Sequence, residues 1–153
     1  MATGKELKLI SQKRLTTVRH LMIAEDWEAA VYIMALSLEI ALKVASRRAL
    51  RLESYPQSTS ERDKYFKTHN FDRLLQIGAC ADIFKLTGNK DAFDNWSQFT
   101  SALIFGGTQV WIVMRYDPRM LALFMETKAK EMYIQLYEDG DSILKAMTRK
   151  SRW

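Results

Sequence analysis

Cysteine is nearly missing from this chain: Cys80 is the only one in 153 residues, which excludes an internal disulfide. Histidine is almost as scarce, with only His20 and His69. One thiol and two imidazoles do not make a zinc site, so neither a metal nor another cofactor is expected. Two prolines and six glycines leave little turn chemistry. So few breakers imply few, long elements, and disfavour the many short strands of a sandwich or barrel. The opening residues MATGKELKLISQKR lack the long apolar core of a secretory signal. No run of about 18 apolar residues stands out as a membrane span. The expectation is a soluble, cytoplasmic protein.

What is present suffices for one core. Apolar residues make up 48% and charged residues 27%, and the length suits a single domain over residues 1–153. The net charge of +5 permits phosphate-bearing partners without requiring them.

Apolar residues recur at helical spacing. Leu7, Ile10, Val18, Leu21 and Met22 mark an amphipathic helix over Lys5–Ile23. A second helix carries Trp27, Val31, Met34, Leu38, Ala41 and Ala45 and should run to about Leu52, with Asp26 as a candidate N-cap. Ile33, Leu36, Ile40 and Leu42 widen its stripe, so it belongs at the centre of the fold. Its far end is basic, with Lys43, Arg47 and Arg51 spaced four apart and Arg48 beside them. Pro56 and the run YPQSTS predict a loop extending as far as Lys67. Thr68 or Asn70 then caps a short helix with Phe71, Leu74 and Leu75. Phe93, Trp96, Thr100, Leu103, Gly107, Val110 and Met114 predict a continuous helix from about Asp91 to Met114, paired with the second. Gly106 and Gly107 inside it cost roughly 1 kcal/mol each relative to alanine, so a break there is the alternative. Pro118 suits a helix start, and a last helical segment follows, weakened or bent at Gly140 and fraying over Lys145–Trp153. The expected fold is all-α, an antiparallel up-and-down bundle of about five helices.

Candidate chemistry is sparse. Glu39 lies in the most apolar helix and needs a partner, and Lys43 is placed for one at i,i+4. Arg62 and His69 are seven positions apart, which on a helix is two turns along one face. Such a pair suits RNA cleavage, the imidazole moving the proton and the guanidinium stabilising charge on the phosphate. The competing reading has His69 capping or packing the start of the third helix. Arg115 and Tyr116 can pair with or stack on a nucleotide, or serve capping and packing. Cys80, in IGACADIF, reads as a small buried thiol.

Three stretches together resemble the HEPN family of helical domains. WEAAVYIMALSLEIALKVA, with Glu39, Leu42 and Lys43, resembles its second helix. THNFDRLL is similar to the family's His-x-Leu-x-x-Leu signature, with Phe71 in place of the usual Leu. Arg115-Tyr116-Asp117-Pro118 resembles the step between its last two long helices. The resemblance implies a bundle of four to five helices and frequent homodimerisation. The family's ribonuclease toxins carry a His a few positions after a late Arg, and here no His follows Arg115. The chain looks more like the non-catalytic branch, which holds a nucleotide or polynucleotide for a small nucleotidyltransferase, as in toxin–antitoxin or defence-like systems. On that branch the nucleotide-binding residues are Lys43, Arg47, His69, Arg73, Arg115 and Tyr116. The alternatives are a metal-independent ribonuclease using Arg62 and His69, and a purely structural dimerisation module.

Overall fold

The computed structural model describes residues 2–52, 54–55, 68–84, 89–105, 108–112 and 116–153, and the fold is all-α. Helix α1 spans Gly4–Ile23. Its start is fixed by a capping box: the Glu6 amide donates to Thr3 Oγ1 at 3.2 Å and the Thr3 amide to the Glu6 carboxylate at 2.7 Å. The Thr3 amide, together with the Thr3 hydroxyl donating at 2.9 Å, holds the Glu6 carboxyl below the usual carboxylate range. Thr3 and Ala2 form a two-residue strand, β1, antiparallel to β2, Ser54–Tyr55. The remaining residues expected in a loop, 56–67, lie outside the described residues.

Helix α2, Trp27–Ala49, is the hub, packed against α1 along its length. Asp26 stands at its N-cap but makes no side-chain cap bond. The two helices meet through small residues. Ser11 Oγ donates to the Ser37 carbonyl at 3.0 Å and Ser37 Oγ to the Ser11 carbonyl at 3.1 Å, both fully buried. Each hydroxyl thus finds an acceptor on the facing backbone, which removes the cost of burying it. At 23 residues α2 is long and apolar enough to cross a bilayer, contrary to the expectation that no such stretch exists. Here its apolar residues Val31, Met34, Leu38, Ala41 and Leu42 are fully buried in the core. The helix ends before Arg51, which has φ 55° and so leaves the face expected to hold Lys43, Arg47 and Arg51 together.

Helix α3, Phe71–Ile77, is capped by Asn70, whose side chain accepts from the Arg73 amide at 3.0 Å, and it packs on α2. At Gly78 the chain passes so near α2 that an added Cβ would lie 3.0 Å from Ala45 Cβ and 3.3 Å from the Ser46 amide nitrogen. A short helix α4, Ala81–Phe84, leads toward α5, Lys90–Ala102, capped by Asn89.

The expected helix over Asp91–Met114 stops at Ala102. Ile104–Phe105 (β3) pairs antiparallel with Thr108–Gln109 (β4), and a 3₁₀ turn follows at Val110–Ile112. Gly106 and Gly107 fall between the paired strands, outside the described residues. Consecutive glycines penalise a helix and suit a two-residue hairpin connection, while the residues around them are β-branched and aromatic. Of the expected pairing of this segment with α2, the 3₁₀ turn at Val110–Ile112 keeps the contact and the helix does not. Helix α5 packs instead on α4 and on the C-terminal elements.

Asp117 and Pro118 lead into α6, Arg119–Leu123, with the Asp117 carboxylate accepting from the Arg119 amide at 3.0 Å. Helix α7, Glu126–Tyr133, continues as a π turn over Ile134–Glu138 and then stops. Gly140 lies in the break, and the last segment is three helices, the third being α8, Ile143–Arg149. The chain end does not fray. Trp153 is buried, and its indole N–H donates to the Leu144 carbonyl at 3.2 Å and to Thr148 Oγ1 at 2.9 Å.

Candidate functional site

The expected Glu39–Lys43 pair forms, and it has a third member. Glu39 is buried in the middle of α2, and its two carboxylate oxygens go to different partners. Oε1 accepts from Lys43 Nζ at 2.5 Å, one helical turn on. Oε2 lies 2.9 Å from His69 Nδ1, thirty residues away at the entry to α3. An ionised carboxylate is only an acceptor, so the imidazole donates through Nδ1–H. That fixes the ring and leaves Nε2 without a partner among the described residues. The His69 side chain is 55% exposed, Lys43 13% and Glu39 5%. A buried anion therefore holds one nearly buried cation and one imidazole that opens to solvent.

Trp111, from the 3₁₀ turn, backs the imidazole. Its ring meets His69 edge-on at 5.5 Å and 86°, and stacks on Phe71 at 5.9 Å and 12°. Tyr32 of α2 closes the cluster at 5.8 Å from the same indole. Two contacts thus orient the ring, a hydrogen bond along one edge and an aromatic wall, as preorganised sites require.

His69 does not cap α3, because Asn70 does; the packing half of that reading holds, against Trp111. Lys43 is not part of an open basic face, since Glu39 holds it. Arg47 reaches back to the Leu52 carbonyl and lies against Gly4, at the start of α1. Arg73 is on the exposed side of α3, and Tyr116 is 77% exposed. Of the residues expected to bind nucleotide, the structure joins Lys43 and His69 through Glu39. Arg115 and Arg62 lie outside the described residues. Asp117, two residues after Arg115 in the sequence, is taken by Arg119, whose guanidinium holds its carboxyl below the usual range. Sequence reading missed Glu39 as the bridge to His69 and Trp111 as its wall. Only the unexplained acid in an apolar helix pointed that way.

Among the described residues no group of three metal-ligating side chains comes together. Cys80 is fully buried, and burial pushes its thiol up to about 12. Reaction with iodoacetamide at pH 8 should therefore be negligible in the folded protein and rapid once urea unfolds it, as followed by mass spectrometry. Labelling of the native chain at the unfolded rate would contradict that burial.

The comparisons with known proteins leave the fold and the site to speak for themselves: no protein-family model, no curated protein and no solved structure matches the chain significantly.

Proposed function

We propose that the Glu39–Lys43–His69 cluster is an anion site, in a non-catalytic HEPN-like module that holds a nucleotide or nucleic-acid phosphate. In the terms of the resemblance, it does so for a small nucleotidyltransferase on another chain, and as a homodimer. The observation that carries the reading is His69, exposed on one side and tied on the other to a buried carboxylate that also holds a lysine. Protonated, such a ring donates through both nitrogens, one to Glu39 and one to a phosphate oxygen. Arg73, nearby in sequence on the exposed side of α3, adds a positive charge suited to the same ligand.

The Glu39–His69 bond also favours a second reading. A carboxylate-oriented imidazole is the base-and-orienter pair of acid–base catalysis, so a metal-independent ribonuclease with Arg62 as charge stabiliser is the alternative.

One experiment separates them. Anisotropy titrations with a short fluorescent RNA, and competition by AMP, should give an affinity that falls steeply with salt. His69→Ala should weaken it by about tenfold, the worth of one charge-assisted hydrogen bond. Its melting temperature should fall by only a few degrees, because Glu39 Oε2 loses its partner while Lys43 still pairs with Oε1. Equal binding by wild type and His69→Ala would remove the anion site. RNA cleavage by the wild type that His69→Ala abolishes would assign the cluster to the ribonuclease.

A further inference from the structure

A second concentration of positive charge lies on another part of the molecule. Lys8, Gln12, Leu15 and Arg19 form one stripe along α1 and face Tyr137, Leu144, Lys145, Thr148 and Trp153 of the C-terminal segment. Between them is a groove of about 190 Å³, and among the described residues no acidic side chain lines it. Arg19 and Lys145 are held by neutral groups, and Lys8 by the main-chain oxygen of the last residue, Trp153. Arg19 Nε donates to the Tyr133 hydroxyl at 2.9 Å, Lys145 Nζ to the Glu138 carbonyl at 2.9 Å, and Lys8 Nζ to the main-chain oxygen of Trp153 at 3.2 Å. Among the described residues none of the three pairs with an Asp or Glu carboxylate, whereas Arg119, Lys128, Lys130, Arg149 and Arg152 all do.

The rings and backbone hold these charges in place. Arg19 and Lys145 both lie on Tyr137, at 5.4 and 5.7 Å from its centre, and Lys8 lies 5.4 Å from the Trp153 ring. Each ammonium has spent one of its three donors, and the Arg19 guanidinium has spent one of five, so donors remain for a ligand. Arg19 and Lys145, whose partners are neutral, repel each other across the groove, and a bound anion relieves that repulsion. The volume is below the roughly 300 Å³ of a drug-sized pocket. It suits a phosphoryl group on a small carrier such as a sugar.

We infer that the groove between α1 and α8 is a second anion site, built to take a phosphomonoester on Arg19, Lys145 and Lys8. It shares no residue with the Glu39 cluster and stands whether or not that cluster binds phosphate. The phosphomonoester can belong to a free nucleotide or to the end of an RNA, and the same donors read both.

The Trp153 indole N–H, fixed on the floor of the groove by Leu144 and Thr148, is the reporter. ¹⁵N-labelled protein is titrated at low salt with inorganic phosphate, AMP and a 5′-phosphorylated oligoribonucleotide. The expected result is a saturable shift of the Trp153 indole signal. In Arg19→Gln/Lys145→Gln, both exposed positions, the affinity should fall by about tenfold or more while the ligand-free spectrum keeps its dispersion. His69→Ala should leave this shift unchanged. Tighter binding of AMP than of the oligonucleotide identifies the free nucleotide as the source, and the reverse order identifies RNA. No saturable shift with any of the three, or an equal affinity in the double variant, overturns the proposal.

Discussion

Glu39→Ala should lower the stability of the fold by about 3 kcal/mol, the order seen when one partner of a buried ion pair is removed. For a chain of this length that is a fall of roughly 10 °C in melting temperature. The cause is specific. Lys43 is only 13% exposed, and without the carboxylate its ammonium is left in a nearly dry position. The lost side chain also leaves a gap in the middle of α2, at a site 4% exposed. The compensated variant Glu39→Leu/Lys43→Met should recover most of that loss, because an apolar pair of similar volume replaces both charges. It should not recover the anion site, because His69 has lost the group that orients it. Urea denaturation of the three proteins checks the first half and RNA anisotropy the second. A double variant as unstable as the single one would mean that the acid is needed for reasons other than its pairing.

The second large effect is expected at Trp111. Its ring is 1% exposed and makes contacts to Tyr32, His69 and Phe71 at once. Trp111→Ala opens a large cavity between α2 and α3 and should cost about 4 kcal/mol. Trp111→Phe should cost less than half as much and keep an aromatic wall for the imidazole. If ligand affinity falls in the alanine variant but survives in the phenylalanine one, the wall acts through His69. A loss of no more than about 1 kcal/mol in Trp111→Ala, measured by urea denaturation, would contradict the packing described here.

The parts of this fold that sequence made legible are those decided within a few residues. The stripes of α1 and α2 are helical periodicity alone, and the Glu39–Lys43 pair is a local i,i+4 contact on one helix. Asn70 capping α3 has the same local origin. The misread parts depend on distant contacts or on competition between local preferences. Steps of three and four continue across Gly106 and Gly107, yet the glycine cost and the β-branched neighbours end the helix at Ala102. The basic tail looked solvated because the burial of Trp153 depends on where α1 lies, and Lys8 of α1 binds its backbone. Nothing local in the sequence marks Ser11 and Ser37 as buried, because their acceptors are each other's carbonyls, across the helix pair. The site follows the same division. Its lysine was visible one turn from the acid, whereas His69 reaches Glu39 only when α3 folds onto α2.

The proposed anion site requires that Glu39 hold His69 by Nδ1 and leave Nε2 open to a ligand. With only two histidines in the chain, and His20 exposed near the end of α1, ¹⁵N–¹H correlation of the imidazoles reads it directly. The prediction is a protected Nδ1–H on His69 that disappears in Glu39→Gln, and an Nε2 signal that moves when AMP or RNA is added while His20 stays still. Identical behaviour of the two rings, with neither responding to ligand, would contradict the account.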